Sequence, residues 1–156
     1  MNQITKSFSG VQALDNVSVS CQKGVVHAIV GENGAGKSTL IKILSGAQKP
    51  DNGTIFFKGR SFSSFSTREA LNIGISVIYQ ELALISSMTV VENIFLGREI
   101  RKIVGIIDPK KMETEARKLL EQLGININVN QEVGELSVAY QQLVEIAKAL
   151  SRNADL

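Results

Sequence analysis

Gly31, Gly36, Lys37 and Ser38 stand at the spacing Gly-x-x-x-x-Gly-Lys-Ser, within the stretch GENGAGKSTL that runs from Gly31 to Leu40. These residue types at this spacing suit a polyanion. Gly31, Gly34 and Gly36 let the main chain approach closely and turn its N–H groups inward as an anion nest. Glu32, Asn33 and Ala35 belong to the same cradle. A helix beginning at Lys37 adds the positive end of its dipole. Lys37 brings a mobile ammonium for β- and γ-phosphates, Ser38 an oxygen for Mg2+, and Thr39 a donor for an α-phosphate. The chemistry is the holding of a nucleoside triphosphate with its Mg2+. The competing reading is a glycine turn that only caps a helix. It is disfavoured because a strand precedes the loop and a helix follows it, the context this motif requires.

The elements that must position this loop can be read on either side of it. VVHAIV (Val25 to Val30) is nearly all apolar, as suits a strand buried on both faces of a parallel sheet. Behind the loop, Leu40, Ile41 and Leu44 share one face of a helix over about 37–45, which Gly46 stops. ALDNVSVS (Ala13 to Ser20) alternates as a half-buried strand does. Lys49 to Gly59 reads as turn, strand, turn, and Gly74 to Tyr79 as a second buried strand. A short helix covers about 67–72. Beyond Tyr79 the chain turns helical. Thr89 and Glu92 make a capping-box pattern before VVENIFLG. Asp108 and Pro109 open a helix that Gly124 closes, with Met112, Ala116, Leu119, Leu120 and Leu123 on one face. A last helix starts near Ser137 and turns Leu143, Ile146, Ala147 and Leu150 inward. The expectation is one domain over 1–156, with a β and phosphate-loop core to about residue 80 and a mainly helical part over about 81–156.

A net charge of +2, with Lys and Arg scattered, argues against a nucleic-acid partner, which asks for a basic stripe. The single cysteine, Cys21, has no partner for an internal disulfide and reads as a small buried or half-buried side chain near a strand end. His27, the one histidine, lies in the strand before the loop and reads as a packed core residue rather than a catalyst. No apolar run approaches the roughly 18–20 residues of a membrane span, so a cytoplasmic or peripheral protein is expected.

GENGAGKSTLIKILSG, together with YQEL (Tyr79 to Leu82) and LSVAYQQLVEIAKAL (Leu136 to Leu150), resembles the ATP-binding cassette (ABC) ATPases of transporters. VVENIFLGRE (Val90 to Glu99) and VEIAKAL resemble the first cassette of the tandem-cassette sugar importers of the ribose/galactose type. The resemblance implies an α/β P-loop cassette with an antiparallel β part, a phosphate-loop α/β core and an α-helical subdomain. It implies that Gln80 positions Mg2+ and the attacking water, a task that suits a neutral amide with both a donor and an acceptor end. Phe8 matches the aromatic that stacks on adenine; its other reading is a strand-end core residue. Ser137 matches the signature serine, aimed at the nucleotide of the partner cassette, and can also be a plain N-cap. Here Val138, Ala139 and Tyr140 replace the glycines and glutamine of the family's commonest signature, leaving less room for close backbone approach.

The implied activity is hydrolysis of MgATP coupled to sugar uptake, with a second cassette and membrane permease subunits as partners, on the inner face of a bacterial membrane. The Asp-ending strand and catalytic Glu expected soon after ALSRNADL, and the switch His beyond them, are not in the sequence, and Glu81 does not replace them. The expectation is therefore a cassette truncated at both ends, near-background hydrolysis by the chain itself, and self-association through an open sheet edge. Two other readings stay open: a non-transport ABC ATPase of translation or repair type, and a non-catalytic nucleotide-binding module.

Overall fold

Ser9 and Gly10 both hold positive φ, 45° and 85°. A two-residue turn of that kind matches the right-handed twist of two antiparallel strands. It joins β1 (Asn2–Phe8) to β2 (Val11–Val17), with Phe8 paired to Val11. The structure, a computed structural model, describes residues 1–103, 105–152 and 154–156. It divides into two units, Met1–Ile75 and Ser76–Leu156.

In the first unit β1 and β2 continue into β3 (Asn52–Phe57) and β4 (Arg60–Phe62), all antiparallel in the order β2-β1-β3-β4. Two helices accompany the sheet, α1 (Lys37–Leu44) and α2 (Thr67–Ile73). Ile4, Leu14, Leu40, Ile43, Ile55, Phe65, Ala70 and Ile75 form its core. The pairing of β1 with β2 slips twice: Ile4 faces Val17, Lys6 faces Leu14, and Ser7 faces Gln12. The second slip leaves Ala13 as the extra residue of a bulge, a feature that re-aims a strand locally.

In the second unit α3 (Val90–Phe95) and α4 (Pro109–Gln122) are followed by a 3-10 turn (Val133–Glu135) and α5 (Val138–Leu150). Val90, Ile94, Ala116, Leu120, Val129, Val133, Val144 and Ala147 lie in its core. The capping box of Thr89 and Glu92 is formed, as is the Asp108 cap on a helix with proline in its first turn. The inward face of α5 is set by Val144 and Ala147, while Leu150 is 49% exposed, contrary to its expected inward position.

Neither of the two expected buried strands forms. Residues 25–30 are exposed irregular backbone, with Val26 and Val30 at 96% and 90% exposure, and Ile75 alone is buried between Gly74 and Tyr79. An all-apolar strand is stable only with neighbours on both edges and both faces. Among the described residues neither segment joins a strand ladder, and the Ser76 N–H donates to Leu156 O at 2.8 Å without forming one. Cys21 and His27 are accordingly exposed, not packed; the Gln22 N–H donates to His27 Nε2 at 2.9 Å.

Candidate nucleotide site

The loop from Gly31 to Gly36 closes around the ammonium of Lys37. Lys37 Nζ donates to the carbonyl oxygens of Gly31 at 2.7 Å and Glu32 at 2.6 Å, and the Ala35 N–H donates to Glu32 O at 3.2 Å. Gly34 and Gly36 hold φ of 85° and 83°, in the left-handed region that glycine enters without a steric penalty. Gly36 is the N-cap of α1, so the N–H groups of Lys37, Ser38 and Thr39 lie in the first turn, where no intrahelical acceptor exists. An ammonium, three first-turn N–H groups and two hydroxyls thus meet at one helix start. Gly31 to Ala35 and Ser38 are exposed, and Gly36, Lys37 and Thr39 half-buried. This is an accessible donor cluster for phosphate oxygens.

The hairpin supports that cluster from below. A Cβ on Gly36 would stand 2.5 Å from Ala13 O and 2.7 Å from Leu14 Cδ2, so only glycine lets the loop lie against the bulge in β2. Leu14 pairs with Lys6, and Phe8 sits two residues further along β1, about 7 Å in strand rise. Phe8 is 43% exposed at the end of β1. The phosphate loop and the aromatic ring therefore share one hairpin.

Gln80 and Ser137 belong to the second unit. Gln80 is exposed at a bend. Past it, the loop is held by a residue that no spacing rule singled out: Asn93, fully buried on α3. Its Oδ1 accepts from the Ile85 N–H at 2.8 Å, and its Nδ2 lies 3.0, 3.2 and 3.1 Å from the carbonyls of Ile85, Met88 and Thr89. Ser137 is the N-cap residue of α5 by backbone, yet its hydroxyl makes no capping bond. Gln141 takes over the anchoring, donating from Nε2 to Val133 O and Leu136 O at 3.1 Å each. Val138 and Tyr140 are exposed on the first turn.

The second unit also carries a cavity of about 400 Å³, lined by apolar Met88, Val91 and Leu96 and by the carboxylates Glu92, Glu99 and Glu113. All three carboxyls are held below their ordinary range: Glu92 by Thr89 hydroxyl and N–H, Glu99 by its own N–H and that of Gly97, and Glu113 by Arg117 and Asn130. The carboxylates that line the cavity are therefore anionic at neutral pH. Among the described residues no three His, Cys, Asp or Glu side chains gather as a metal site, and no helix is long and apolar enough to cross a membrane.

Known proteins resemble this chain along its whole length. A putative ribose/galactose/methyl galactoside import ATP-binding protein of Halalkalibacterium halodurans is 53% identical over all of this chain and 30% of its own. An arabinose import ATP-binding protein of Yersinia pestis is 50% identical over 98% of this chain and 29% of its own. The chain thus spans under a third of the length of these relatives. Among solved structures, a nucleotide-free ATP-binding cassette from an ABC transporter superposes at a TM-score of 0.80 with 33% identity, covering 98% of this chain and 64% of that one. A dimeric cassette in a post-hydrolysis state bound to ADP and Pi superposes at 0.82 with 25% identity, covering 98% and 69%. These likenesses bear out the expected fold, a partial α/β phosphate-loop cassette. With the ABC transporter profile matching residues 14–156, the chain belongs to the ABC transporter family.

Proposed function

We propose that the chain is the nucleotide-holding part of an ATP-binding, energy-coupling subunit of a bacterial ABC sugar importer. One observation carries the reading: the Lys37 ammonium, at the start of α1, is closed in by the Gly31 and Glu32 carbonyls in a loop turned by two left-handed glycines. A triphosphate entering the cradle exchanges these neutral acceptors for anionic oxygens, and charge-assisted bonds are roughly twice as strong. In this reading Lys37 takes the β- and γ-phosphates, Thr39 the α-phosphate, and Phe8 the adenine face. Ser38 supplies one oxygen to Mg2+, an ion that keeps waters and shares phosphate oxygens. The Ser137 hydroxyl, free of capping duty, serves the nucleotide of a second cassette. Mg2+ supplies charge neutralisation of the phosphates when bound.

The sugar-import names of the relatives support the transport role. The cavity of the second unit, lined by both carboxylates and apolar side chains, suits a basic amphipathic segment of a permease, which would hold the subunit on the inner face of the membrane. Calorimetry with MgATP tests the core of the proposal. Wild type should bind, and Lys37→Ala should weaken binding by at least about tenfold, the loss of a charge-assisted phosphate contact. Equal affinity in the two proteins rejects the assignment.

A further inference from the structure

The end of β1 carries a second arrangement that the phosphate cradle does not use. Asp51, at the entry to β3, reaches back to β1 with both carboxylate oxygens. Oδ1 accepts from Lys6 Nζ at 2.5 Å and Oδ2 from the Ser7 N–H at 2.7 Å, while the Asp51 N–H donates to Thr5 O at 2.9 Å. The Lys6 side chain is only 11% exposed, which is unusual for lysine. Its ammonium stands over the Phe8 ring, 5.5 Å from the centroid.

We propose that Lys6 and Asp51 are positioning residues for the nucleotide base: Asp51 fixes the Lys6 ammonium over one face of Phe8, and so orients and tunes the ring for a purine on its other face. The assignment rests on the reading of Phe8 as the base stack. A cation over an aromatic face draws on the ring quadrupole, leaving the opposite face less negative. Two stacked π-systems repel through like-signed faces, so a depleted face stacks better. The strand itself needs the clamp. β1 is irregular on both sides of Lys6, where its pairing with β2 slips, so the ladder alone does not fix the side chains there. The Lys6 and Ser7 N–H bonds hold the Asp51 carboxyl below its ordinary range, so the clamp is ionised at neutral pH.

The test separates base from phosphate. Affinities for ATP and for inorganic tripolyphosphate are measured by calorimetry at about 0.15 M salt, where exposed charges are screened beyond roughly 8 Å. Lys6→Met and Asp51→Ala should each weaken ATP binding about three- to fivefold and leave tripolyphosphate unchanged. The two substitutions remove opposite charges. A general electrostatic effect on the phosphates would therefore move them in opposite directions, whereas loss of the tuned ring moves them together. Lys6→Arg, which keeps a cation over the ring, should retain wild-type ATP affinity, and in a Phe8→Leu background Lys6→Met should add nothing. Should Asp51→Ala lose its fold by circular dichroism, the Lys6→Met and Lys6→Arg pair decides alone. Unchanged ATP affinity in Lys6→Met, or an equal loss for both ligands, overturns the proposal. A wild type that binds tripolyphosphate as tightly as ATP overturns the base stack with it. One that binds neither rejects the phosphate cradle as well.

Discussion

Asn93 shows how much one side chain can decide. It is the only fully buried large polar side chain among the described residues, and its amide meets four main-chain groups of the loop over residues 85–89. An aliphatic replacement would strand those groups in the core, since a buried donor or acceptor without a partner costs about 1–3 kcal/mol. Asn93→Ala is expected to lower unfolding free energy by about 2–3 kcal/mol in urea titration. In the sequence Asn93 is one of two polar letters, beside Glu92, in an otherwise apolar six-residue helix, and no spacing marks it. Gly36 is the opposite case, legible at once from the motif. Its φ of 83° and the 2.5 Å approach of Ala13 O to a hypothetical Cβ forbid any side chain. Gly36→Ala should therefore strain the loop, so that calorimetry shows weaker ATP binding and thermal unfolding a lower melting temperature.

At the scale of elements, capping chemistry was the most readable signal. Short helices cannot sustain themselves by propagation, so their ends must be specified locally, and local specification is what a sequence displays. α3 has six residues and is opened by Thr89 and Glu92, with the Glu92 carboxylate accepting from the Thr89 N–H at 2.8 Å and its hydroxyl at 2.7 Å. These bonds hold Glu92 below its ordinary value of 4.5. A depressed carboxyl stabilises the folded state above its unfolded pKa, and that contribution fades as pH falls through the folded value. Glu92 is exposed, so the effect is screened to about 0.5 kcal/mol. Glu92→Gln, which keeps a bond acceptor but does not titrate, should match wild type within that margin at neutral pH. Its stability should then fall less than that of wild type on acidification below about pH 4.5, as chemical denaturation at stepped pH would show. α2 has the same box, made by Ser66 and Glu69. The β elements were less legible. The bulge at Ala13 arises from pairing between strands, and residues 25–30 show why an apolar run is ambiguous: it specifies burial, not the partner that provides it.

At the scale of the whole molecule that unmet demand becomes a property of the surface. Val25, Val26, Ile29 and Val30 are 53%, 96%, 43% and 90% exposed, in a segment that holds no charged residue. Burying an aliphatic side chain of this size is worth about 1.5–3 kcal/mol, so the segment as it stands leaves several kcal/mol unrealised. Its main chain is also outside the sheet, free to pair with another strand. The sequence of the segment is its own best complement, because an apolar strand pairs with an apolar strand, and a second copy supplies one at every encounter. Self-association of the chain that grows with concentration is the expected outcome in multi-angle light scattering. Val26→Lys with Val30→Lys places charge on the most exposed positions without touching the loop that begins at Gly31. The substituted chain should scatter as a smaller species at equal concentration and keep its affinity for tripolyphosphate. If wild type and variant scatter alike, segment 25–30 is not the surface through which copies meet.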